Sequence, residues 1–131
     1  MSFLDMSGLI PISALYVGLH ALLAVVLANF VLFIRLRGDK KPQWQAEAAA
    51  RVQANFVENV PIALLVLLVL EIQGTPAQIL HGCGITLFVL RLLHAFGLGT
   101  YEGANYPRLI GAQGTFVLIS MMAIGAIGTA L

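Results

Sequence analysis

An all-α integral membrane protein, a single four-helix bundle, is predicted by three features of this 131-residue sequence. Hydrophobic residues make up 60% of the chain and charged ones 10%, against about 25% charged in an ordinary soluble domain. Four long stretches are almost free of charge, and turns rich in glycine and proline separate them. The 7 basic and 6 acidic side chains cannot coat a water-facing globule of this size, so a soluble monomer is excluded. The same apolarity excludes a disordered chain, the single cysteine excludes a disulfide scaffold, and a net charge of +1 excludes a nucleic-acid binder.

A hydrocarbon layer about 30 Å thick takes roughly 20 helical residues. The first span, about 9–35, has no Asp, Glu, Lys or Arg between Asp5 and Arg35, and Pro11 suits its first turn. The second, about 46–71, holds Arg51 and Glu58; the third, about 76–98, holds Arg91. The fourth, about 107–130, has Arg108 at its start and no charge from Leu109 onward. Gly38-Asp39-Lys40-Lys41-Pro42, Gln73-Gly74-Thr75-Pro76 and the stretch from Gly97 to Pro107 mark the connections. With no internal repeat and no long linker, residues 1–131 read as one transmembrane domain. A cleavable signal peptide is not expected, because no basic residue precedes the first span and that span is longer than a signal core.

Arg35, Arg37, Lys40, Lys41 and Arg51 gather around the first connection, whereas the second has only Glu71 beside the neutral Gln73 and Gln78. Positively charged loops stay in the cytoplasm. The expected topology therefore puts the first and third connections, with Arg108, on the cytoplasmic side and both termini on the opposite side.

An ionisable group inside a span costs about 2.5–3.5 kcal/mol on insertion scales, so it faces the bundle interior, a partner or water. Arg51, Asn55 and Glu58 stand at i, i+4 and i+7, within an arc of roughly 60° on the second helix. Gln53 looks elsewhere, and a neighbouring chain is one candidate. On one reading Arg51 and Glu58 simply neutralise each other or reach for the near interface. Two features favour a ligand instead. Asn55 is polar where leucine would insert more cheaply, and a second cluster, Arg91 with His94, lies at the same depth on the third span. Together with Arg35, Arg37 and Arg108 these residues form a basic wall with one carboxylate, suited to a zwitterion with more carboxylates than amines. His20 and His81 read as structural, and Cys83 as apolar filler in the middle of its span. No metal is expected, since no His, Cys or carboxylate pair has ligand spacing on a shared face. The small residues of the fourth span, Gly111, Gly114, Gly125 and Gly128 among them, favour close helix contact.

Arg51-Val52-Gln53-Ala54-Asn55-Phe56-Val57-Glu58 with Pro61, then Arg91-Leu92-Leu93-His94, then Arg108 resemble the MAPEG family, the membrane-associated proteins in eicosanoid and glutathione metabolism. The resemblance covers nearly the whole chain and lies closest to small bacterial members near the microsomal glutathione transferases. It implies a homotrimer in a bacterial inner membrane, with glutathione as co-substrate bound between subunits toward the cytoplasm. By that match Arg51, Asn55 and Glu58, joined by Arg91 and His94, hold the γ-glutamyl portion. Gln53 and one of Arg35 or Arg37 meet the glycine carboxylate, and Arg108 stands near the sulfur. Many members carry a tyrosine where this chain has Leu98, so Tyr101 or Tyr106 is the candidate replacement. Leu109 replaces a hydroxyl residue of the prostaglandin synthase branch, which argues against a dedicated prostaglandin isomerase.

A thiol with a pKa near 8.5 is only a few per cent thiolate at pH 7, and the thiolate is the nucleophile. About 2.7 kcal/mol of attraction from a guanidinium raises the thiolate-to-thiol ratio roughly hundredfold. Arginine suits this, because it stays charged where a lysine loses its proton on burial. The expected function is a membrane-bound glutathione transferase acting on hydrophobic electrophiles drawn from the lipid bilayer, with glutathione-dependent reduction of lipid hydroperoxides as a side activity. Two rival readings are a non-catalytic lipid-binding or scaffold protein of the same fold, and a small transporter or channel subunit. The second is disfavoured because the charges cluster in one leaflet.

Overall fold

A computed structural model describes residues 11–39, 42–100 and 105–131. Four helices follow in chain order: α1 Ile12–Arg37, α2 Ala46–Ile72, α3 Ala77–Thr100 and α4 Tyr106–Ala130. Each is long and apolar enough to cross a membrane, and the short connections make successive helices antiparallel. The chain is thus an all-α, four-helix protein. Residues 9 and 10 of the first predicted span, and Lys40 and Lys41 of the first connection, lie outside the described residues. Pro11 stands just before the first turn of α1 as its N-cap, with an extended backbone, rather than inside the turn.

Packing is uneven. α3 lies most extensively against α4, and α1 against α2. α2 and α3 form the middle of the bundle, and among the described residues α1 and α4 do not touch. Small residues explain the closeness of α3 and α4: a Cβ on Gly111 would sit 2.5 Å from the His94 backbone nitrogen, and one on Gly97 would sit 2.4 Å from that of Arg108. Without those side chains the two backbones approach closely enough for van der Waals contact, the main attraction available where the solvent is itself apolar. The core is a column of leucines and aromatics, among them Leu67, Leu80 and Leu87 on α2 and α3, continuing through Phe56 and Leu98 to Ile34. Large apolar side chains such as Leu22, Val25 and Ile124 remain exposed, an outer surface matched to lipid rather than water.

The two ends of the bundle are chemically different. At the end holding the start of α1, Glu71 of α2 accepts from the backbone N–H groups of Ile12 (2.5 Å) and Ser13 (3.0 Å) and from the Ser13 hydroxyl (2.6 Å). A carboxylate there satisfies orphan donors and complements the positive end of the helix dipole. Beside it the Tyr16 hydroxyl meets His81 Nδ1 at 2.6 Å. All the described arginines, Arg35, Arg37, Arg51, Arg91 and Arg108, belong to the segments at the opposite end.

Candidate functional site

The arginine-bearing end is organised by Trp44. Its backbone has φ 54°, in the left-handed region that bulky residues rarely occupy. Three contacts hold it there: its N–H donates to Gly99 O (2.8 Å), its carbonyl accepts from Arg37 Nη2 (2.8 Å), and its indole meets Phe30 edge-on with ring centres 5.0 Å apart. The ring also covers Gly99, where a Cβ would come within 2.3 Å of it. The α1–α2 connection is thereby bolted to the end of α3. Arg37 also donates to Gly38 O at 3.2 Å, so its guanidinium serves this connection, while Arg35 is exposed.

On α2 the polar stripe divides. Arg51 and Glu58 lie exposed on the outer surface of the bundle, and Gln53 is half-buried. Among the described residues Arg51 and Glu58 do not pair with one another, so mutual neutralisation is not what places them. Asn55 turns inward, and its Oδ1 accepts from Arg91 Nη2. One turn on, Asn59 donates to Asn55 O at 2.8 Å.

Arg91 is 2% exposed and is held from three helices. Besides Asn55 of α2, it donates from Nη1 to Thr115 Oγ1 of α4 and from Nη2 to His94 Nδ1 of α3, each at 3.2 Å. The Thr115 hydroxyl donates its own proton to Gly111 O at 2.6 Å, which leaves its oxygen facing the guanidinium purely as an acceptor. All three acceptors are neutral, and Arg91 Nε finds no partner among the described residues. A buried guanidinium demands such acceptors, because desolvation of an ion costs several kcal/mol. The charge nonetheless reaches further: Arg91, Arg108 and Arg51 all act electrostatically on His94, and Arg91 acts on His20.

Arg108 sits in the first turn of α4. Asn105 positions that turn, accepting from the Arg108 N–H and donating to Gly97 O, both at 3.0 Å. Arg108 lines an open groove of about 550 Å³ with Asn105, Tyr106, Leu109 and Ala112. Three helices therefore bring Arg51, Arg91 and Arg108 within electrostatic reach of the His94 imidazole. A model of the MAPEG family matches residues 12–128, across all four helices. The chain belongs to the MAPEG family. It is similar to the inner membrane protein YecN of Escherichia coli K12, 35% identical over 91 residues, which are 66% of this chain and 69% of that protein. YecN of Escherichia coli O6:H1 shows the same identity and coverage. No solved structure matches.

Within this MAPEG chain, Leu98 occupies a buried place beside Leu27, Val52, Phe56 and Val60. Packing thus takes the position where the resemblance expects a hydroxyl. Of the two candidate replacements, Tyr106 lies in the Arg108 groove, and Tyr101 lies outside the described residues. Among the described residues no three His, Cys, Asp or Glu side chains gather closely enough to hold a metal ion. Sequence reasoning did not single out Thr115, Asn59, Asn105 or Trp44 for this end. For Asn105 a signal was present, since Asn-Tyr-Pro before an apolar run is a helix start.

Proposed function

We propose that this multi-pass membrane protein is a glutathione transferase that conjugates glutathione to hydrophobic electrophiles, with reduction of lipid hydroperoxides as a side activity. The observation that carries the reading is the split stripe of α2. Arg51 and Glu58 stand exposed and unpaired with each other on a membrane-spanning helix, at the same end as the Arg108 groove. Lipid rejects such charges unless a neighbouring chain, water or ligand covers them. A homotrimer with glutathione at the seam would supply both a neighbouring chain and a ligand. Arg51, Asn55, Glu58, Gln53 and Arg35 would hold the tripeptide toward the cytoplasm, with Arg91 and His94 behind them and Arg37 bracing the connection beside Arg35. Membership of a family that includes glutathione transferases supports the reading.

In the reaction, the cysteine thiol of glutathione gives its proton to water, and Arg108 stabilises the thiolate. The sulfur then forms a bond to the electrophilic carbon of an apolar acceptor delivered by the bilayer, whose leaving group departs with the electron pair. The test is turnover of the detergent-purified protein with glutathione and a generic aryl halide, beside Arg108→Ala. Turnover should fall by about 10²-fold in the variant, with glutathione affinity changed far less. Equal turnover in the two would remove Arg108 from its role, and no turnover in either would favour a scaffold.

A further inference from the structure

The contacts around Arg91 fix more than its own orientation. An arginine guanidinium can only donate hydrogen bonds. The His94 nitrogen 3.2 Å from Arg91 Nη2 must therefore accept, and must carry no proton. A flipped ring would offer a C–H to the guanidinium in place of a lone pair, so the observed orientation is the one the charge selects. With Nδ1 bare, the imidazole is neutral and its proton sits on Nε2. That nitrogen has no partner among the described residues, although His94 is only 3% exposed, and a buried N–H left without an acceptor calls for one.

We propose that Arg91 locks His94 in the Nε2–H form, making it a neutral hydrogen-bond donor to an anionic or carbonyl oxygen of the bound ligand, and not a proton acceptor in the reaction. The ligand half of this assignment rests on the function proposed above; the tautomer half does not. Arg51 and Arg108, whose charges act on the same ring, supply attraction to the anion, while Nε2–H supplies direction. The site then contains guanidinium groups and a directed N–H around His94, a set that recognises oxygen anions without taking a proton from them. The proton of a bound thiol must leave to water.

His20 provides an internal contrast. Its Nδ1 lies 2.6 Å from the Tyr16 carbonyl oxygen, which can only accept, so His20 carries its proton on Nδ1. The two buried histidines are opposite tautomers in one molecule.

The experiment is nitrogen NMR of ¹⁵N-histidine-labelled protein in lipid nanodiscs without ligand, the three signals being assigned with His81→Gln and His20→Phe variants. Nε2–H at His94 beside Nδ1–H at His20 is expected. An Nδ1–H or doubly protonated ring at His94 would overturn the proposal. The second arm is calorimetric titration with glutathione. His94→Gln, whose amide places an N–H near the position of Nε2, should bind within roughly threefold of the parent protein, whereas His94→Leu should bind roughly tenfold more weakly. Equal weakening in both variants would overturn the donor role. If the parent protein binds no glutathione while the spectrum shows Nε2–H, the tautomer assignment stands and the glutathione reading falls.

Discussion

Asn55 accepts a hydrogen bond from Arg91, and that bond separates the polar residues of one helix into two functions. Arg51 and Glu58 stay on the outside of the bundle, while the residue between them holds a buried cation in place. Replacing Asn55 by alanine leaves Nη2 with one acceptor fewer. Losing a hydrogen bond to a buried charge costs about 1.5–3 kcal/mol, and reversible unfolding in mixed micelles should show a loss of that order for Asn55→Ala.

Thr115 offers a cleaner version of the same test. Thr115→Val keeps the shape but removes the acceptor from Arg91 and the donor to Gly111 O, and should cost about 1 kcal/mol or more in the same unfolding assay. Thr115→Ser keeps both bonds and should remain near the parent protein. A loss in Thr115→Ser with none in Thr115→Val would show that the methyl group, not the hydroxyl, matters at this fully enclosed site.

Glu58 has no role in holding the single bundle together, because its side chain is exposed. Glu58→Ala should leave thermal unfolding of the detergent-purified protein nearly unchanged. On the proposed function it should weaken glutathione binding by roughly tenfold, the scale of one charge-assisted hydrogen bond. Titration calorimetry reads this directly.

The chain has one tryptophan, so its fluorescence reports on Trp44 alone. A Cβ on Gly99 would overlap the indole, and overpacking of this kind costs typically about 1–3 kcal/mol. Gly99→Ala should therefore displace the ring, shift its emission maximum and lower the melting temperature. An unchanged emission spectrum would show that the connection accommodates the methyl group without moving Trp44.

Glu71 makes a prediction of the opposite character. Glu71→Ala removes the acceptor for two backbone N–H groups and a hydroxyl at the start of α1. It should destabilise the protein by about 1–2 kcal/mol, as loss of a helix cap does. Glutathione conjugation at a permissive temperature should be unchanged, because the arginines lie at the other end of the bundle.

Composition made the four helices legible, because a span of lipid thickness needs a run of apolar residues that few soluble elements contain. The spacing of Arg51, Asn55 and Glu58 placed them on one arc, yet it could not show that Asn55 turns in while its neighbours stay out. That choice depends on where Arg91 lies, 36 residues away. Thr115 was invisible for a similar reason: a lone threonine in a helix most simply bonds its own backbone, which it does here as well. Glu71 read as a loop charge, and its actual partners are 58 and 59 residues distant. Short-range pattern reveals which face a residue shares. Long-range pairing decides what that residue does.

Arg91 is answered by three dipoles and, among the described residues, by no opposing ion. Its field is therefore redirected but not cancelled, and it lies where mobile ions of the surrounding solution scarcely penetrate. Added salt will blunt the pull of Arg51 and Arg35 at the surface and leave that of Arg91 largely intact. The attraction between this end of the bundle and an incoming anion should accordingly level off at high ionic strength instead of vanishing.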